Sequence, residues 1–301
     1  MDYNNGRIRR GEGIFPFLPF KWKMMIPLLV VILLVLAYPL LYSIWISFRN
    51  IELIKPSQND FVAFSQYIKM FNESLFWISV KNTFLFLLIA VSIEFILGLM
   101  LAVSLKKQKL FSNITRSVLL TPMLVTPVAV GLMFRFLLNN QLGLIPKLLG
   151  YFGINISFFG KGSALVSLAL IDVWQWTPFM VIMLLAGLES LPREPYEAAQ
   201  VEGANSWDTL TKITIPLLKP VIIIALLIRS LDALKVFEYV YVITEGGPGT
   251  STETLQYYIY KIGFGFYRLS ESAAAAWILV LIVMVLISVF LWRFTSKGGA
   301  K

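Results

Sequence analysis

The 301-residue sequence contains no cysteine and no histidine. These absences exclude disulfide bonds, thiolate or imidazole metal sites, and acid–base catalysis by histidine. The sequence also lacks a Walker-type phosphate-binding loop, so we do not expect the chain to hydrolyse ATP itself. No catalytic site, no metal site and no cofactor is therefore expected in this chain.

Charged residues are also scarce, at 14% of the chain, whereas a soluble domain carries about 25%. Hydrophobic residues make up 57%, and they fall in long blocks separated by short polar stretches. A helix needs about 20 apolar residues to cross about 30 Å of hydrocarbon. The pattern therefore predicts an all-α polytopic membrane protein with about six transmembrane helices. The predicted spans are residues 24–48, 77–105, 113–138, 164–188, 217–243 and 272–294.

Prolines inside these spans predict kinks, because neighbouring helices can satisfy the backbone groups that proline frees. They are Pro39, Pro122, Pro127 and Pro178.

The distribution of lysine and arginine predicts the orientation of the spans. The positive-inside rule places both termini in the cytoplasm, with a transmembrane unit at residues 24–294 and tails at residues 1–23 and 295–301. Because this topology explains the net charge of +9, no nucleic-acid partner is expected. The basic residues assigned to the cytoplasmic side are Arg7, Arg9, Arg10, Lys21, Lys23, Lys106, Lys107, Lys109, Arg116, Arg193, Lys212, Lys219, Arg293, Lys297 and Lys301.

The cytoplasmic loop between spans four and five, residues 189–216, has the pattern of two short helices. Pro195 suits the first position of a helix, and Glu197 in the first turn is favourable for the helix dipole. Gly203 can end this helix in a left-handed conformation, and Ser206 can cap a second helix. Pro216 closes the loop segment at the membrane. Such a unit fits either a groove on another protein or the surface of lipid headgroups.

A family resemblance favours the first of these interpretations. The loop contains Glu197-Ala198-Ala199, three residues, Gly203, nine residues and then Ile213-Thr214-Ile215-Pro216. This spacing resembles the EAA signature of ABC-importer permeases, with Ile215 where leucine is usual. The resemblance implies the type I importer permease fold, in which this loop holds a coupling helix that docks in a cleft of a cytoplasmic ATPase. Glu197, Ala198, Ala199 and Gly203 would form the docking element.

The segment after span five, residues 237–255, resembles the external loop of carbohydrate-importer permeases related to the maltose, lactose and glycerol-phosphate systems. Residues 246–249, Gly-Gly-Pro-Gly, independently predict a tight turn at the membrane surface. The resemblance runs from about the second span to the sixth and is strongest over residues 164–264. It implies one permease subunit of an ATP-driven sugar importer, located in the bacterial inner membrane.

The same resemblance implies the partners. The ATPase dimer of such importers offers two clefts, and this chain carries one EAA loop, so a second, related permease subunit is expected. The ATPase subunits would bind the ATP and magnesium. A periplasmic or extracellular solute-binding protein would deliver the carbohydrate, and membrane lipid would surround the spans.

Ionisable residues inside spans usually face a partner or a cavity. Arg229, Asp232 and Lys235 recur at three-residue spacing and so share one broad helix face. Either Asp232 pairs with Arg229 or Lys235, or the group contacts the solute. Because Arg135, Arg229 and Lys235 are basic, an anionic sugar is one of the solutes that the sequence allows. The ionisable residues in the predicted spans include Lys81, Glu94, Arg135, Asp172, Arg229, Asp232, Lys235 and Glu238.

Gln175, Trp176 and Phe179 lie beside a proline on span four. An aromatic ring can stack on the apolar face of a sugar, and an amide can bind its hydroxyls, although helix packing explains the aromatic residues equally well. In carbohydrate permeases the helices that flank the EAA loop line the substrate pocket. By position, the candidates for the substrate path are therefore Gln175, Trp176, Phe179, Asp232, Ala233 and Val236.

Two other functions are weighed against an importer. A secondary transporter driven by an ion gradient could use the intramembrane charges, but it would leave the EAA spacing unexplained. An intramembrane aspartyl protease needs two facing aspartates. Asp172 and Asp232 are the candidates in the predicted spans, and they lack the expected Gly-rich setting.

Overall fold

A computed structural model describes residues 20–54, 59–107 and 113–295. These described residues form helices and loops, with two isolated β-bridges and no strand. Most of the two predicted tails lies outside them. The basic residues predicted to face the cytoplasm that fall outside the described ranges are Arg7, Arg9, Arg10, Lys109, Lys297 and Lys301.

Five described helices are long and apolar enough to cross a membrane, and a bent helix pair brings the number to six. This agrees with the predicted count. The first crossing is α1 (Phe20–Ile32), which continues through a π-helical turn (Leu33–Ala37) into α2 (Tyr38–Ser47). The second is α4 (Ser74–Lys107), the third is the bent pair α5 (Asn113–Leu124) and α6 (Pro127–Leu137), and the fourth is α8 (Ala164–Glu189). The fifth is α10 (Ser206–Asp208), which continues through a π-helical turn (Thr209–Thr214) into α11 (Ile215–Ala233), and the sixth is α13 (Leu269–Thr295). The shorter helices are α3 (Ser65–Phe71), α7 (Leu144–Tyr151), α9 (Glu194–Val201) and α12 (Leu255–Tyr260).

The third span is not the single helix expected at residues 113–138. It bends by 102° between α5 and α6. Thr126 has an extended backbone, with φ −63° and ψ 139°, and Pro127 opens α6. The ring of a proline disfavours the helical conformation of the residue before it, so Pro127 turns the predicted kink into a break.

The fifth span also differs from its predicted limits. It begins within the cytoplasmic loop, because the helix that starts at Ser206 runs through Pro216 without a stop and ends at Ala233. Pro216 was expected to close the loop segment at the membrane, but no break separates the loop from the span there. Residues 234–268 instead fold as an outer segment with a π-helical turn (Val240–Thr244), α12 and a second turn (Lys261–Gly265). Lys235, Val236 and Glu238 therefore lie beyond the fifth span and not within it.

The packing is centred on α8, the most deeply buried of the candidate spans, whereas α1 and α2 are the least buried. Gly98 on α4 lies directly against Met180 on α8. A Cβ atom added at Gly98 would stand 2.9 Å from the Cβ atom of Met180 and 2.6 Å from its Cγ atom. Small residues allow transmembrane helices to approach this closely.

Gly98→Ala is expected to lower the stability of the folded permease by about 1–3 kcal/mol, because the new methyl group forces α4 and α8 apart. The measurement is the thermal midpoint of the purified permease complex. Gly150→Ala is the matched control, since a Cβ atom at Gly150 would meet nothing within 4 Å. A Gly98→Ala midpoint no lower than that of the control would contradict the close packing.

Candidate functional site

The cytoplasmic loop forms the predicted short helix and turn. Helix α9 has Pro195 in its first turn and the acids Glu194 and Glu197 near its N-terminus, where they oppose the positive end of the helix dipole. Gly203 follows the helix with a φ of +75°, a conformation that glycine adopts without strain. The amide of Ala204 closes the turn by donating to the carbonyl of Ala199 at 2.9 Å.

The second loop helix is capped one residue earlier than expected. Asn205, not Ser206, occupies the capping position, and its side-chain oxygen accepts a hydrogen bond of 2.8 Å from the amide of Asp208. Both residue types are good caps, so the pattern predicted the helix correctly but assigned its capping position to the wrong residue.

Helix α9 is tied to three spans. The Nζ atom of Lys106, near the end of α4, donates to the carbonyl of Leu188 on α8 at 2.9 Å and lies 4.8 Å from the ring centre of Tyr196 on α9. The hydroxyl of Tyr196 donates to Oγ1 of Thr214, just before α11, at 3.2 Å. These contacts connect α9 to the ends of α4 and α11 and, through Lys106, to the end of α8.

A cleft of about 750 Å³ separates α9 from these span ends. Its lining is mixed in charge and includes Lys106, Glu189, Arg193, Glu197 and Thr209.

The tip of the loop presents apolar and small side chains. Ala198 is exposed, whereas Ala199 packs inward at 6% exposure. Val201 and Trp207 flank the turn at Gly203 and are 90% and 71% exposed. Because side chains this apolar are seldom left in water together, the tip has the character of a contact surface.

A buried ionic cluster joins three spans, α4, α8 and α11. Arg229 on α11 donates from Nε and from a terminal nitrogen to the two carboxylate oxygens of Glu94 on α4, both at 2.7 Å. The same terminal nitrogen donates to Asp172 on α8 at 2.6 Å. We refer to Glu94, Asp172 and Arg229 as the ionic cluster; their side chains are 0%, 6% and 2% exposed.

The charge pairing differs from one of the predicted alternatives. Asp232 does not contact Arg229 but lies 3.7 Å from Nζ of Lys235, with both side chains about half exposed. Arg229 instead finds its partners on two other helices.

The candidates for the substrate path on α8 fall into two groups. Gln175 is fully buried: its Nε2 atom donates to the carbonyl of Val125 at 2.7 Å, and its Oε1 atom accepts from the hydroxyl of Tyr239 at 2.5 Å. It thus satisfies the backbone at the break in the third span. Trp176 and Phe179 are half-buried, and the ring of Trp176 lies 5.1 Å from the Arg229 guanidinium carbon.

The candidates near the outer end of α11 are also divided. Asp232 is exposed, whereas Ala233 and Val236 are 2% and 6% exposed and belong to the apolar core. The structure therefore presents Trp176, Phe179 and Asp232 at a surface of this chain and encloses the other three candidates.

The outer segment is fastened to the second span. The predicted turn is present, with positive φ at Gly246 and Gly249. The amide nitrogen of Asn82 on α4 donates to the carbonyls of Thr250 and Glu253 at 2.9 and 3.0 Å. Burial raises the pKa of the Glu253 carboxyl, and Lys261, whose Nζ atom is 3.1 Å away, opposes that effect.

The sequence profile of one family, the binding-protein-dependent transport system inner membrane component, matches residues 94–295. The chain belongs to this family. It is 36% identical over 247 residues to the trehalose/maltose transport system permease protein MalF of Thermococcus litoralis, covering 80% of this chain and 83% of that protein. It is 35% identical over 237 residues to the sulfoquinovosyl glycerol transport system permease protein SmoG of Agrobacterium fabrum, covering 78% of this chain and 77% of that protein.

The fold is shared with a bacterial ABC transporter that imports the acidic polysaccharide alginate. The TM-score is 0.78 at 22% identity, over 93% of this chain and 96% of that one. Membership of this inner-membrane transport family makes the chain a multi-pass ABC-importer permease. The secondary-transporter and aspartyl-protease interpretations are thereby displaced.

Proposed function

We propose that this chain is one of two permease subunits of an ATP-driven carbohydrate importer, and that α9 is its coupling helix. The observation that carries the proposal is the EAA-spaced helix itself, which is exposed at its tip and tied by Lys106 and Tyr196 to three spans. The sugar systems named for two relatives support the carbohydrate class.

The continuous helix Ser206–Ala233 supplies a route for coupling. It contains 28 residues and is therefore about 40 Å long. It begins at the proposed docking loop and ends beside Asp232, and it carries Arg229 on the way. A movement imposed on the loop by a closing ATPase would displace both ends of this helix together. Glu197, Ala198, Ala199 and Gly203 would form the contact with the ATPase.

The proposed complex has four further components. Two cytoplasmic ATPase subunits bind ATP and magnesium, a second related permease completes the path, and an external binding protein delivers the solute. Alternating access then follows if ATP binding favours one of two arrangements of the spans, because a ligand shifts an equilibrium only through its different affinity for the two states. The chain lies in the bacterial inner membrane with α9 on the cytoplasmic side.

The proposed solute contacts are the exposed members of the candidate set. Trp176 and Phe179 would pack on the apolar faces of the sugar, and Asp232 would accept hydrogen bonds from its hydroxyls. Gln175, Ala233 and Val236 would act behind this surface, by holding the break in the third span and the outer end of α11.

The test of the function asks whether ATP or an ion gradient supplies the energy for transport. Proteoliposomes containing the whole complex, ATP inside and solute-loaded binding protein outside should accumulate carbohydrate even when ionophores collapse the ion gradients. Accumulation driven by an ion gradient without ATP would contradict the proposal.

Trp176→Ala is expected to lower carbohydrate uptake about three- to tenfold, because an aromatic stacking contact contributes roughly 0.5–1.5 kcal/mol. The amount of assembled complex and its basal ATP hydrolysis should change little by comparison. Trp174→Ala is the matched control: this tryptophan lies on the same helix but is 42% exposed and packs on Phe134. Equal uptake in the two variants would remove Trp176 from the path.

A further inference from the structure

The charge balance beside the proposed path bears on the class of solute. An anionic sugar needs a cation to replace the water that it loses in a site of low dielectric constant. The cations available from the sequence are Arg135, Arg229 and Lys235, and the structure gives the surroundings of each.

Arg229 has no accessible charge to offer. Its guanidinium makes three hydrogen bonds to Glu94 and Asp172 and is 2% exposed, and the ring of Trp176 lies on it. The ionic cluster contains two carboxyl groups and one guanidinium, so it has no positive surplus even when one carboxyl carries a proton.

Lys235 and Arg135 do not restore a positive surplus. Lys235 is half exposed and has Asp232 3.7 Å away as a counter-charge. Arg135 lies in the last turn of α6 and donates to the carbonyl of Val242 at 2.8 Å, which places it against the outer segment beyond the end of α11. The charges next to Trp176 and Asp232 are thus two formal positives and three formal negatives.

We infer that the solute contacts of this subunit favour an uncharged carbohydrate, an inference that rests on the proposed function. A carboxylate, sulfonate or phosphate on the sugar would meet a carboxylate at Asp232, and the lysine paired with that carboxylate, Lys235, already has it as a counter-charge. Hydroxyl groups, by contrast, can donate to Asp232, and the apolar face of a neutral ring can pack on Trp176. The names of the two relatives span both classes, since trehalose and maltose are neutral and sulfoquinovosyl glycerol is a sulfonate.

The experiment measures solute binding to the permease without the selectivity of the binding protein. The whole complex of permeases and ATPase is placed in nanodiscs of zwitterionic phosphatidylcholine, and saturation-transfer NMR is recorded with maltose, trehalose, digalacturonate and glucose 6-phosphate. Transfer to maltose or trehalose that Trp176→Ala reduces, with little transfer to the two anions, is expected. Stronger transfer to the anions would overturn the uncharged class but keep the carbohydrate function. A mixture of amino acids is recorded in the same way, and transfer to that mixture alone would overturn the proposed function itself.

A charge variant tests the role of Asp232 directly. Asp232→Asn removes the counter-charge of Lys235, and the ratio of anion to neutral-sugar binding should rise about fivefold, the upper range for a partly exposed pair. Asp60→Asn is the control, because Asp60 is an exposed acid in the outer loop before α3, and its ratio should match the wild type. An unchanged ratio in Asp232→Asn would overturn the assignment of solute selectivity to this charge balance.

Discussion

Replacing Arg229 with leucine is expected to destabilise the folded permease by about 3–5 kcal/mol, because it leaves two buried carboxyl groups without their cation. The total stability of a folded domain is about 5–15 kcal/mol, so the loss takes a large share of it and the amount of permease in the membrane should fall several-fold. The effect is large because Glu94 and Asp172 are 0% and 6% exposed and cannot turn to water. The measurement is the amount of permease in the membrane and its thermal midpoint.

Two further variants separate loss of pairing from loss of volume. Arg229→Lys keeps the charge but loses the bidentate hydrogen bond to Glu94, so its stability should lie between those of the wild type and Arg229→Leu. The triple variant Glu94→Gln, Asp172→Asn, Arg229→Met removes all three charges and should recover much of the stability lost in Arg229→Leu. If Arg229→Leu were as stable as the wild type, the ionic cluster would not hold the spans together.

The pairing within the ionic cluster could not be predicted from the sequence. Glu94, Asp172 and Arg229 stand out as ionisable residues in apolar blocks. Their pairing, however, joins residues 135 and 57 positions apart. Helical spacing relates only residues on one helix, and it pointed instead to Asp232, which lies three residues from Arg229 but is exposed. Which spans are neighbours is a property of the packing and not of the periodicity.

The cytoplasmic loop was predictable for the opposite reason. The start of α9 beside Pro195 and its end just before Gly203 are local effects that act over a few residues. The same local pattern could not choose between Asn205 and Ser206, because either can cap a helix. The end of the fifth span at Ala233 was missed, since the apolar run continues into the outer segment with no proline or glycine to mark the change.

The candidate path was predicted only in part. Gln175 has the polarity of a sugar ligand, but its hydrogen bond to Val125 exists because the third span breaks there. A third span that is kinked at proline but unbroken, as the sequence predicts, would use the carbonyl of Val125 in its own helical hydrogen bonding. Hydrophobic periodicity does not report such a break, and so Gln175 could not be told from a solute-facing amide.

Glu197→Lys is expected to abolish solute-stimulated ATP hydrolysis while leaving the permease inserted in the membrane. Glu197 lies in the first turn of α9 and is exposed, so its loss removes a dipole interaction of only about 0.3–1 kcal/mol, which the fold tolerates. The reversed charge, however, stands on the proposed contact with the ATPase. The measurement compares ATP hydrolysis with and without solute-loaded binding protein in the reconstituted complex.

Glu202→Lys is the matched control for this prediction. Glu202 is the residue that follows α9 and is also exposed, so the variant makes the same charge reversal five residues away on the same loop. A lysine at the end of a helix is favourable for the dipole, and Glu202 is one of the three unspecified residues between Ala199 and Gly203. Stimulated hydrolysis should persist in Glu202→Lys. Wild-type stimulation in Glu197→Lys would show that α9 does not couple through this residue, whereas loss in both variants would assign the effect to the net charge of the loop.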